Sequence, residues 1–153
     1  MDNIRLPIPI LVTGAGAPGI RGTVYALRNN PEQRPTRLIG VDGNTDVVGR
    51  YLVDRFYQVP FPEDPCYLEQ LLGLCARESI QIVIPQTTRE VEVLSQHREC
   101  FASAGVHVMV SDAKAIYIAN NKWRLVQTFL KLGLATPQSR FTRSEEEVLQ
   151  SVH

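Results

Sequence analysis

The sequence predicts an α/β fold: a Rossmann-like parallel sheet of about five strands with helices on both faces. Three observations carry that expectation. Short apolar runs alternate with stretches of helical periodicity, the rhythm of right-handed βαβ units. The first run, IPILVT, is apolar without alternation, as a strand covered on both faces is. A glycine-rich turn, Gly14-Ala15-Gly16-Ala17-Pro18-Gly19, then opens a helical pattern.

The elements follow in order. The first strand spans 8–13. Ile20, Val24 and Leu27 fall on one helical face, and Asn29-Asn30-Pro31 ends that helix. A second strand, RLIGVD, runs over 37–42, and Gly43-Asn44 turns the chain. The spacing predicts a short helix over 45–54 with Val47, Val48 and Tyr51 inward, then a third strand over 56–59 stopped by Pro60. FPEDP is a loop, and 66–78 is a helix with Leu68, Leu71, Leu72 and Cys75 on one face. The fourth strand, over 80–85, is the most β-branched run. Thr87 or Thr88 caps a helix to about 104 that turns Val91, Leu94 and Phe101 inward, with Gly105 at its C-terminal stop. A fifth strand covers 106–110. Helices over 112–119 and 121–132 follow, the second closed by Gly133 and Pro137. Ser144 and Glu147 form a capping-box pattern, and the chain stops at His153 two turns into that helix, which suggests a fragment of a longer protein. The expected division is a Rossmann-like domain over 1–111 and linking helices opening a second domain over 112–153.

Composition narrows the function. Lys+Arg and Asp+Glu balance at 16 each, so no global charge draws the chain to nucleic acid or an acidic membrane. No run approaches the ~20 apolar residues of a membrane span, and the N-terminus lacks the layout of a secretory signal. A cytoplasmic protein is the expectation. Cys66, Cys75 and Cys100 have no metal-ligand spacing and are expected as buried or half-buried thiols. The histidines are scattered. Trp123 and Phe129 are expected in the core.

The glycine turn fits G-x-G-x-x-G in its proper context, after a strand and before a helix. Gly14 would make the tight turn, Gly16 would allow close approach of a ligand, and Gly19 would pack helix on strand. Asp42, ending the second strand, stands where an acidic residue holds a ribose in dinucleotide sites. Against a full phosphate cradle, Pro18 has no N–H to offer an anion, although Arg21 in the first turn could supply charge. Three readings stay open here: packing alone, a site for a small acidic substrate, and a dinucleotide site. A short-chain dehydrogenase does not fit. The glycine spacing differs, and no tyrosine has a lysine four residues on. At the end of the fourth strand, Thr87, Thr88, Arg89 and Glu90 could hold a polar substrate at the edge where open α/β sheets bind ligands. They could equally be a helix cap with a solvated Arg and Glu.

Several segments taken in order are similar to one family. ILVTGAGAPG leads to RLIGVDGN, then to YLVDRFYQVPFPEDPCYLEQLLGLC, to IQIVIPQTTREVEVLSQHRECFASAGVHVMVSD and to NNKWRLVQTFLKLGLATPQS. This train resembles the opening of carbamoyl-phosphate-synthase-like ATP-grasp proteins over nearly the whole chain. The resemblance implies a Rossmann-like pre-ATP-grasp domain of a ligase. That ligase would use ATP and Mg²⁺ to turn a carboxylate into an acyl phosphate, which an amine or thiol then displaces. The chemistry would reside in an ATP-grasp domain beyond these residues. This chain alone would be inactive, would bind neither cofactor tightly and would carry no catalytic residue or metal ligand. Gly14, Gly16, Gly19, Arg21, Thr87, Thr88 and Glu90 are the candidate substrate-binding residues. Lys122 would contact the nucleotide near its phosphates, with Asn121 standing where the family often has Asp. Implied partners are small carboxylate and amine substrates and the missing C-terminal domain, with a homodimer possible and no nucleic acid or membrane. Two alternatives compete: an NAD(P)-binding domain using Gly14, Gly16, Gly19 and Asp42, and a non-catalytic oligomerisation module.

Overall fold

The structure is a computed structural model that describes residues 5–151. Five strands, β1 (Ile8–Thr13), β2 (Thr36–Asp42), β3 (Arg55–Gln58), β4 (Ile82–Pro85) and β5 (His107–Val108), form one sheet in the order β3-β2-β1-β4-β5. Every pairing is parallel. The helices are α1 (Ile20–Arg28), α2 (Tyr67–Arg77), α3 (Thr88–Ser103), α4 (Ala113–Ala119), α5 (Lys122–Lys131) and α6 (Glu145–Ser151), with a 3₁₀ turn at Val48–Tyr51. The Rossmann-like fold expected from the sequence is the one observed.

Register explains the two-sided core. Leu11 lies opposite Ile39 and Val83, and with them faces α2 and α3 through Tyr67, Leu71, Leu74, Leu94 and Phe101. Ile10 and Val12 point the other way and with Leu38 meet Ile20 and Val24 of α1. Successive side chains of a strand take opposite faces, so a strand covered on both must be apolar throughout.

Helix ends follow local chemistry. Gly105, at φ +75°, closes α3, with Val106 N–H donating to Phe101 O at 2.9 Å and Gly105 N–H to Ala102 O at 2.9 Å. The same pattern closes α2 at Ser79 (φ +50°), where Ile80 N–H donates to Cys75 O at 2.9 Å. That closure is why β4 starts at Ile82 rather than at 80, Ile80 being buried ahead of it.

The short helix expected over 45–54 is a single 3₁₀ turn. Val48 and Tyr51, expected inward, are 51% and 79% exposed. The contact is made by backbone instead: Gly49 N–H donates to Ala15 O at 3.1 Å, and a Cβ on Gly49 would lie 2.2 Å from that oxygen. Only Cys75 is buried, while Cys66 and Cys100 are exposed. Burial pushes the Cys75 thiol up to about 12.

The chain divides into two compact units between Ala113 and Lys114. The first holds the whole sheet. In the second, Asn121 caps α5 by accepting from Arg124 N–H. Trp123 and Phe129 are not buried there: Trp123 is 36% exposed with its ring centroid 5.7 Å from that of Phe141, and Phe129 is half-buried. Among the described residues no helix is long and apolar enough to cross a membrane.

Candidate functional site

A strand order of 3-2-1-4-5 reverses direction between β1 and β4, and the crevice at the C-terminal ends of such strands is where these sheets bind ligands. A cavity of about 380 Å³ lies at that edge. Gly14 follows β1, Asp42 ends β2, and Val59 to Pro62 follow β3. Thr87 to Glu90, opening α3, supply the remaining wall.

The N-terminus of α3 organises one side. Thr87 is the N-cap of a capping box: its hydroxyl accepts from Glu90 N–H (3.3 Å), and its own N–H donates to Glu90 Oε2 (3.2 Å). The Thr87 hydroxyl also donates to Oε2 at 2.8 Å. Glu90 is therefore not the solvated residue that a plain cap would leave: it is 5% exposed. Burial pushes its carboxyl above the usual carboxylate range, the Thr87 hydroxyl holds it back, and the nearby charge of Asp42 pushes the same way as burial. Tyr67 Oη lies 3.4 Å from Glu90 Oε1, a long contact, and burial raises that phenol too. Thr13, at the end of β1, lies beside both groups, yet its hydroxyl has no partner of good geometry among the described residues.

Gly14 is required by this packing. Its φ is +64°, and a Cβ there would lie 2.5 Å from Glu90 Oε2 and 2.8 Å from Thr87 Cγ2. Gly16 is required for a different contact. Its N–H donates to Asp42 Oδ2 at 2.7 Å, and a Cβ would meet Val47 Cγ1 at 2.9 Å. The other oxygen of Asp42 accepts from Asn44 N–H at 2.9 Å. The N–H and the carboxylate that a dinucleotide would use thus bind each other.

The structure brings Gly14, Thr87, Thr88 and Glu90 together around the cavity. Gly16, Gly19 and Arg21 do not line it. Gly19 is the N-cap of α1, where a Cβ would meet only Gln86 Oε1 at 3.8 Å, and Arg21 is exposed on α1. Lys122 is the exposed first residue of α5, in the other unit. Arg89 Nη1 is paired with Glu63 Oε1 at 2.9 Å, and its side chain is 75% exposed. Sequence reasoning missed the wall made by Val59, Pro60, Phe61 and Pro62. The two prolines after β3 were its signal, because they hold an extended chain at the sheet edge. Phe61 lies against Gly43, whose absent Cβ would fall 2.5 Å from the ring.

A family model described as the PylC-like N-terminal domain matches residues 10–109, the sheet of the first unit. The chain belongs to that family. The pre-ATP-grasp assignment drawn from the sequence agrees with this match. A search of curated proteins finds no match. Among solved structures, this PylC-like domain is similar to N5-carboxyaminoimidazole synthetase from Staphylococcus aureus complexed with ADP (TM-score 0.64, 13% identity), covering 97% of this chain and 37% of that one. It is similar to the biotin carboxylase subunit of pyruvate carboxylase (TM-score 0.60, 16% identity; 94% of this chain, 32% of that one). It is also similar to the complete multifunctional pyruvate carboxylase from Rhizobium etli (TM-score 0.59, 14% identity; 88% and 13%). Identities this low establish a shared fold. The chain spans well under half the length of each of these proteins.

Proposed function

We propose that this PylC-like domain is the N-terminal part of an ATP-grasp carboxylate–amine or carboxylate–thiol ligase of the carbamoyl-phosphate-synthase-like type. It contributes the fold and one wall of the substrate pocket. ATP and Mg²⁺ would act in a domain beyond this chain, activating a carboxylate as an acyl phosphate. Among the described residues there is no group of three or more His, Cys, Asp or Glu that could hold a metal ion. Lys122 is the one residue here that the family resemblance directs at a nucleotide. The reading places the protein in the cytoplasm.

One observation carries the choice over the dinucleotide-binding alternative. Gly16 N–H, the glycine-loop donor, is taken by the Asp42 carboxylate at the end of β2, whose other oxygen accepts from Asn44 N–H, while an open cavity lies beside them. A dinucleotide needs that N–H free for its pyrophosphate and that carboxylate free for its ribose. The test is calorimetric titration with NAD(H), NADP(H) and Mg·ATP in turn. No saturable dinucleotide binding is expected. A dissociation constant near 1 μM, about −8 kcal/mol, would overturn the ligase reading in favour of an oxidoreductase domain. A longer form of the protein, continuing past His153, is expected to hydrolyse ATP only with carboxylate and amine both present.

A further inference from the structure

The charges around the cavity are unbalanced. Its lining includes two carboxylates, Asp42 and Glu90, and one cation, Arg89, which Glu63 holds at 2.9 Å in a solvent-exposed pair. Glu90 is 5% exposed, and among the described residues the donors around it are neutral: the Thr87 N–H and hydroxyl, the Tyr67 hydroxyl and, beside them, the Thr13 hydroxyl. Its Oε1 has a single long contact, at 3.4 Å. A carboxylate has about four acceptor sites, and Oε2 already takes the Thr87 N–H and hydroxyl, so the spare capacity lies on Oε1. Beside them the Thr13 hydroxyl is fully buried, without a partner of good geometry among the described residues. The opposite wall is apolar: Val59, Pro60, Phe61 and Pro62.

We propose that this cavity takes a primary ammonium carried on a compact apolar body, with Glu90 and Asp42 as its anionic acceptors and Phe61 as the wall beside it. An ammonium brings three donors and no acceptor, the complement of a floor short of donors and of positive charge. An aromatic ring beside the cation adds cation–π attraction. At the N-terminus of α3 the Glu90 carboxylate, taking the Thr87 N–H and hydroxyl, already sets a negative charge against the helix dipole. In the proposed ligase the occupant is the amine-bearing substrate. That role rests on the ligase reading, whereas the binding does not.

The test uses the 153-residue chain and three probes of one shape: phenethylammonium, 2-phenylethanol and 3-phenylpropionate. Amide chemical shifts of Gly14, Gly43, Thr87 and Thr88 report occupancy. Saturable shifts are expected with phenethylammonium, and binding about tenfold weaker or worse with the other two. Glu90→Gln, which keeps the acceptor for Thr87, is expected to weaken the ammonium at least about fivefold, and Arg89→Gln to strengthen it. A cooperative melting transition and amide shifts unchanged away from the cavity in each variant exclude misfolding as the cause. Tighter binding of the carboxylate, no saturable shift with any probe, or unaltered ammonium binding in Glu90→Gln would overturn the proposal. If the longer protein then still required an amine for ATP turnover, the ligase reading would survive alone. Ammonium binding without any ATP turnover in the longer protein would keep the site and sink the ligase reading.

Discussion

Two glutamates at opposite edges of the sheet are covered to the same extent, one shallowly and one deeply, and are oppositely perturbed. Glu78 and Glu90 are each 5% exposed. Glu78 caps α2 at the edge where β2 and β3 begin. Arg37 reaches it at 2.6 Å, Arg55 at 3.0 Å and the Tyr57 hydroxyl at 2.5 Å. The Tyr57 and Arg37 hydrogen bonds hold its carboxyl at about 2. Glu90, at the edge where strands end, has hydroxyl and amide donors and, among the described residues, no paired cation, and burial pushes it up. Low exposure alone therefore does not set the ionisation of a carboxylate here; depth of burial and the donor set together do. The compensated glutamate ties α2 to the sheet. The uncompensated one faces a cavity, which is where perturbed carboxyls concentrate in functional sites.

The largest expected effect comes from the backbone under Glu90. Gly14→Ala places a methyl 2.5 Å from Glu90 Oε2 at a φ of +64°. The left-handed backbone and the overpacking together are expected to cost about 3 kcal/mol in urea unfolding. Little loss would mean that Glu90 moves freely, and its burial would then not be built in. Next, Glu78→Gln is expected to cost about 2 kcal/mol at pH 7, since it leaves charged donors without an ionised acceptor. Glu90→Gln is expected to cost less than about 1 kcal/mol, because an amide oxygen still accepts from Thr87. Equal losses would erase the contrast between the two edges.

The pH dependence sharpens it further. The folded-state pKa of Glu78 is depressed, so its contribution is present above the ordinary carboxylate range and is lost as pH falls towards about 2. The pKa of Glu90 is raised, so its contribution is present below that range and is lost as pH rises through the folded value. Melting temperature followed from pH 2 to 8 is expected to fall less steeply at the acid end in Glu78→Gln. In Glu90→Gln the decline above the ordinary carboxylate range is expected to shrink. An unaltered profile in both variants would show that these groups do not carry the slope.

The fold was legible because it rests on patterns of neighbouring residues. IPILVT and RLIGVD declare doubly covered strands, and Ile20, Val24 and Leu27 declare the face of α1. The 3₁₀ turn at Val48–Tyr51 was not legible. Its apolar side chains mimic a helix face, while the contact that places it is Gly49 backbone on Ala15. Of the site, Gly14 and the Thr87-to-Glu90 segment were visible as motif and strand end. The burial of Glu90, the engagement of Asp42 with Gly16 and the Phe61 wall join residues far apart in the chain. No local spacing reports such contacts.

The smallest expected effect probes the floor beneath Glu90. Thr13 is fully buried, and its hydroxyl lies beside Tyr67 and Glu90 without a hydrogen bond of good geometry. A buried hydroxyl left unpaired costs about 1 kcal/mol or more relative to an apolar group of the same shape. Thr13→Val keeps the branched shape and the β-strand preference of the position. It is therefore expected to raise stability by about 1 kcal/mol in urea unfolding. It is also expected to leave the capping box of Thr87 and Glu90 intact, which the Thr87 and Glu90 amide shifts would report. A loss of stability would show instead that the hydroxyl bonds to Tyr67 or Glu90 in solution. Glu90 would then have a further donor, and the difference between the two edges of the sheet would lie in the arginines and in depth of burial.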